Sequence, residues 1–127
     1  VRRRVLIVED HDDARDMLRH LLTQAGHEVH EAADGLAGLY QALALRPDAA
    51  VIDIGLPGLD GYEVARRIRA AGDASVLLVA VTGYGQSGDR QRSSEAGFDA
   101  HLTKPVDPLA LESLLANLPL DPRRTAR

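Results

Sequence analysis

The chain has 127 residues, 45% of them apolar, a net charge of −4 and no cysteine. That suffices for one domain around one core, while disulfides, thiolate metal sites and cysteine nucleophiles are excluded. The acidic balance argues against nucleic acid as the main partner, and no apolar run approaches the roughly 20 residues of a membrane span. No signal-peptide pattern opens the chain. The expected setting is therefore reducing and cytoplasmic, with no membrane contact in this segment. Arg2-Arg3-Arg4 and Arg123-Arg124-Thr125-Ala126-Arg127 read as solvated basic ends, and Val1 at the start points to a piece of a longer protein.

Two kinds of segment alternate. Residues 4–8 form a β-branched apolar run, and 13–25 show helical spacing through Ala14, Met17, Leu18, Leu21 and Leu22. Asp12 or Asp13 is the expected cap of that helix and Gly26 its end. A strand at 27–32 follows, then an Asp34-Gly35 turn, a helix over 35–45 and Pro47 as its stop. The next unit is strand 49–53, loop 54–60 and helix 60–70. Strand 75–81 carries Val76-Leu77-Leu78-Val79-Ala80-Val81, which lacks polar alternation and suits a central strand covered on both faces. A Gly-rich loop at 83–88 leads to a polar helix at 87–95, expected to pack loosely or serve as a contact surface. Strand 98–102 and helix 107–117, capped by Asp107, complete five β/α cycles. Such alternation with short connections predicts one α/β domain, a parallel sheet with helices on both faces.

Polar residues stand where the apolar runs end. Glu9 and Asp10 follow the first strand, Asp53 closes the third, Thr82 follows the fourth, and Lys104 lies just past the fifth. In an open parallel sheet those tips share the ligand-binding edge. Singly, each acid reads as a helix cap or turn residue; jointly they make a carboxylate cluster that a hard cation such as Mg²⁺ would relieve. Asp53 can accept a phosphoryl group as an acyl phosphate, and Lys104 and the cation can offset the charge on the phosphoryl oxygens. Lys104 is the only lysine among 15 basic residues. Thr82 offers a hydroxyl, with Gly83 leaving the approach open, and Lys104-Pro105 is a bond that can be cis at low cost. His11, His20, His27 and His30 could each be offered as a phospho-donor or metal ligand, but all four read as structural or surface residues.

The pieces Val5-Leu6-Ile7-Val8-Glu9-Asp10, Asp53-Ile54-Gly55-Leu56-Pro57-Gly58-Leu59-Asp60-Gly61, Val81-Thr82-Gly83 and Thr103-Lys104-Pro105 occur in order. Together they resemble a response-regulator receiver domain of two-component signalling over about residues 4–118, which leaves 119–127 as a tail or linker. The resemblance implies a flavodoxin-like (βα)5 doubly wound parallel sheet with strand order 2-1-3-4-5. It also implies Asp53 as phospho-acceptor, Thr82 and Lys104 as phosphoryl contacts, and Mg²⁺ held by Asp10, Asp53 and the Gly55 backbone carbonyl, with Glu9 acting through water. Pro105 matches the proline after a commonly cis bond. His101 stands where the family often carries a Tyr or Phe that turns inward with the threonine, and Gly55 and Tyr84 stand where dephosphorylation is tuned. The implied donor is a histidine kinase or a histidine phosphotransfer protein, and homodimer formation on phosphorylation is a further expectation. Gly83-Tyr84-Gly85-Gln86 and the 96–107 segment look like receivers of hybrid sensor histidine kinases.

Two other readings compete. One is a phosphorylation-independent protein-interaction module of the same fold, against which the complete acid, hydroxyl and lysine set argues. The other is an aspartyl-phosphate phosphohydrolase, which generally needs an acid/base carboxylate where this chain has Gly55.

Overall fold

The computed structural model describes residues 2–72, 75–83 and 90–118. Ten elements alternate: β1 (Arg4–Val8), α1 (Asp12–Gln24), β2 (Glu28–Ala32), α2 (Gly35–Leu45), β3 (Ala49–Asp53), α3 (Gly61–Ala70), β4 (Leu77–Thr82), α4 (Arg90–Ala96), β5 (Ala100–Thr103) and α5 (Pro108–Ala116). The strands form one parallel sheet in the order β2-β1-β3-β4-β5. This is the flavodoxin-like arrangement expected, and its order reverses direction between β1 and β3.

Strand periodicity divides the core in two. On one face Leu6, Val8, Ala50, Ile52, Leu78 and Ala80 pack against side chains of α2, α3 and α4. On the other, Val5, Ile7, Ala49, Val51, Val79 and Val81 pack against Leu18, Leu22, Leu111 and Leu115 of α1 and α5. Successive strand residues point to opposite faces, so a strand covered by helices on both sides must be apolar throughout. β3 meets that demand with all five residues buried, Asp53 included. Burial of each large aliphatic side chain contributes about 1.5–3 kcal/mol.

The helix ends carry local signals. Asp34 accepts from the Ala37 amide, Asp60 from Glu63, and Asp107 from Leu109. Such caps satisfy amides that the first turn leaves without partners. The first helix departs from expectation: its N-cap is His11, which makes no side-chain capping bond, and Asp12 and Asp13 lie inside the first turn. There their charge still favours the positive end of the helix dipole. Gly26, at φ 94°, ends α1 as expected, with its own amide bonded to Thr23 and the His27 amide to Leu22.

Two strands start later than the apolar pattern predicts. β4 begins at Leu77 rather than 75, and β5 at Ala100 rather than 98. The second delay has a visible cause. Gly97 takes φ 109° and the Phe98 amide bonds to Ser93 O, which closes α4, while Phe98 itself packs into the core. Asp99 then ties the sheet edge down, its Oδ2 accepting from the Leu78 amide and from Arg69. The expected loop beyond Gly83, Tyr84 within it, the 87–89 start of the polar helix and the 119–127 tail lie outside the described residues.

Candidate functional site

The carboxyl ends of β1, β3, β4 and β5 gather the expected residues at one edge. Glu9 follows β1 directly, its amide bonded to Ala32 O at the tip of β2 (3.1 Å). Its carbonyl accepts from Arg15 Nη1 of α1 (3.0 Å), so the acidic tip is held from both sides. Asp53 is the last residue of β3. Its Oδ1 accepts from the Gly55 amide (2.9 Å), and the Ile54 amide continues the ladder to Val81 O (3.1 Å). Gly61, the first residue of α3, lies hard against this turn. A Cβ there would stand 2.6 Å from Asp53 O and from Ile54 Cα. Only glycine lets α3 begin so close to the Asp53 backbone.

Lys104 closes the cluster. Its Nζ lies 2.8 Å from Glu9 Oε1 and 3.1 Å from Asp53 Oδ2, while its amide bonds to Thr82 O. The Lys104-Pro105 peptide is cis. Burial pushes the Glu9 carboxyl up; the Lys104 ammonium holds it down, but Asp53 nearby adds to the upward push and the net shift is upward. For Lys104, burial works against the charge, yet the bonds to Glu9 and Asp53 outweigh it and its pKa rises. One ammonium thus serves two crowded carboxylates.

A cation fits this edge. Ligand atoms of Glu9, Asp10, His11 and Asp53 all lie within 4.8 Å of one another. Asp10 Oδ1 is buried and has no hydrogen-bond partner, which a bound ion would provide. The donors are mainly carboxylate oxygens, as Mg²⁺ prefers.

Thr82 is 1% exposed at the end of β4, and its Oγ1 lies 3.0 Å from His101 Nε2 on β5. Its hydroxyl is therefore engaged across the strand pair. Three participants carry no site role in the sequence: Arg15 is not singled out there, Gly61 stands only as the end of the 53–61 segment, and His11 is expected to be a structural or surface residue. Gly61 has a usable signal, the Asp60-Gly61 pair that caps and opens a helix. Arg15 has none, because its target is a main-chain carbonyl. The other histidines stand apart: His27 bonds to Arg3 and Glu112, and His30 to Glu28.

The family model of the response regulator receiver domain matches residues 5–116. The chain belongs to that family. Among curated relatives of this receiver, the response regulator MprA of Mycobacterium avium is 40% identical over 122 residues, covering 96% of this chain and 52% of its own length. The chain thus spans about half the length of the curated relatives it matches. The Vibrio cholerae chemotaxis protein CheY4 superposes with a TM-score of 0.84 at 28% identity, covering 94% of this chain and all of that one (100%). The receiver domain of the sensor histidine kinase PA1611 from Pseudomonas aeruginosa gives 0.82 at 32% identity, covering 93% of this chain and 98% of that one. That structure has a magnesium ion coordinated in its active-site cleft. Receiver domains of response regulators are signalling modules that receive phosphoryl groups from histidine kinases.

Proposed function

We propose that this receiver accepts a phosphoryl group on Asp53 from a partner's phosphohistidine and thereby changes its partner-binding face. The observation that carries the reading is the contact of Lys104 Nζ with both Asp53 Oδ2 and Glu9 Oε1 at one sheet edge. An Asp53 oxygen attacks phosphorus, the P–N bond breaks, and the imidazole leaves with the electron pair. Catalysis of such a transfer is mainly positioning and charge stabilisation. Gly55 N–H orients the acceptor through Oδ1, and Lys104 meets the charge on the transferred oxygens. Thr82 supplies a hydroxyl to the same group once it leaves His101.

Asp10, Asp53 and the Gly55 carbonyl would hold Mg²⁺, with Glu9 acting through water. When bound, the cation offsets the repulsion between the carboxylates and the incoming phosphoryl group. Beside the site lies a groove of about 200 Å³, whose lining includes Met17, Leu21, Pro105 and Val106 together with Glu9 and Lys104. Its continuity with the acceptor site supports it as the seat of the donor, a histidine kinase or histidine phosphotransfer protein. The changing face comprises Thr82, α4, His101 and α5. The cytoplasm is the proposed location, since that is where the donor's phosphohistidine would form. Relatives include both a response regulator and the receiver of a sensor kinase, and either context suits this chemistry.

Incubation with a small phosphodonor and Mg²⁺ should add one phosphoryl mass to the wild type and none to Asp53→Asn. Equal labelling of the two would refute Asp53 as acceptor. A wild type that binds neither Mg²⁺ nor beryllofluoride would favour the phosphorylation-independent interaction module.

A further inference from the structure

His11 occupies an unusual place for a helix N-cap. Its side chain makes no capping bond to the first turn of α1. Its Nδ1 lies instead 3.4 Å from Glu9 Oε2 and 3.5 Å from Asp10 Oδ1. The His11 amide also donates to Glu9 Oε2 (3.2 Å), which fixes the residue beside the acidic pair. Neighbouring ligands of an octahedral ion with bonds near 2.1 Å stand about 3 Å apart, and opposite ligands about 4 Å apart. The separation between His11 Nδ1 and the orphaned Asp10 Oδ1 falls within that range. A neutral imidazole would join the site without adding to its negative charge.

Nitrogen donors change which cations a site favours. Mg²⁺ takes oxygen ligands and keeps its waters, whereas imidazole suits Ni²⁺ and the other later divalent metals. We infer that His11 is a metal-facing ligand of this receiver, which opens its acidic site to nitrogen-accepting divalent cations such as Ni²⁺ and Cu²⁺ as well as Mg²⁺. The inference rests on the proposed cation site at Asp10 and Asp53. His27 and His30 are engaged with Arg3, Glu112 and Glu28, away from this cluster.

The test is calorimetric titration of the whole chain with Ni²⁺ and, separately, Mg²⁺, using wild type, His11→Gln and Asp10→Asn. Pulsed electron paramagnetic resonance of the Cu²⁺-loaded protein would read nitrogen coupling directly. His11→Gln should weaken Ni²⁺ by roughly tenfold or more, leave Mg²⁺ within about twofold, and abolish a ¹⁴N coupling seen in the wild type. Asp10→Asn should weaken both cations. Equal Ni²⁺ affinity in wild type and His11→Gln, no ¹⁴N coupling in the wild type, or Ni²⁺ binding untouched by Asp10→Asn would each overturn the inference. Failure of the wild type to bind Mg²⁺ at all would instead strike the phospho-acceptor reading.

Discussion

Lys104 shows how much one side chain decides. Its ammonium bonds to two carboxylates, of which Glu9 is buried and pushed upward by that burial. Lys104→Met would leave Glu9 and Asp53 facing each other without a cation. Loss of a charged hydrogen-bonded partner costs about 1.5–3 kcal/mol, and partial exposure of the lysine side chain puts the expected loss near the lower figure. The same change should tighten Mg²⁺ binding, because the ion no longer competes with the ammonium for Glu9 and Asp53. Phosphorylation should slow, since the transferred oxygens lose a positive contact. Urea unfolding with calorimetric Mg²⁺ titration checks both directions, and weaker Mg²⁺ binding in the variant would refute this electrostatic account. The lone lysine was conspicuous in the sequence. Its division between two acids was not, because Glu9 and Asp53 are far from it in the chain.

Between elements, the junction of β3 and α3 is the tightest part of the site. Asp60 caps α3 through the Glu63 amide, and Gly61 sets the helix against the Asp53 and Ile54 backbone. Gly61→Ala must move either the helix or the acceptor turn. Overpacking of this kind costs about 1–3 kcal/mol. The expected result is a lower urea midpoint together with slower labelling of Asp53 by a small phosphodonor; unchanged labelling would mean that the turn yields without displacing the carboxylate. The neighbouring pair β4 and β5 carries a second device. His101 engages the Thr82 hydroxyl, so His101→Leu should leave a buried donor without that partner. A stability loss of about 1–3 kcal/mol is expected, read from the same unfolding curves. Element types and order followed from periodicity, but strand starts did not. Phe98 and Asp99 looked like strand residues and instead close α4 and anchor the sheet edge.

Across the molecule, acid sensitivity has a definite sign. Glu28 on the edge strand β2 is held below its ordinary value of 4.5 by the hydrogen bond from His30, against the effect of burial and with help from Arg4. Its ionised form is thus preferred in the folded state. The stability it contributes is complete above 4.5 and is lost as the pH falls through the lower folded value. Its side chain is 35% exposed, so screening limits the contribution to about 0–1 kcal/mol. Glu28→Gln should lower stability at pH 7 by no more than that and flatten the acid limb below 4.5, as thermal unfolding across pH would read. A steeper acid limb in the variant would contradict the sign.

The alternation of apolar runs and amphipathic helices was enough to determine an α/β domain, and the polar residues ending those runs were enough to nominate Asp10, Asp53, Thr82 and Lys104. Those signals are local, each lying within one strand and the turn after it. Tertiary structure alone decided that Thr82 bonds to His101, that Lys104 serves Glu9 as well as Asp53, that Gly61 abuts the acceptor, and that His11 faces the acidic pair. Each of these contacts depends on strand register, helix docking and side-chain rotamer, which hydrophobic patterning along the chain does not encode.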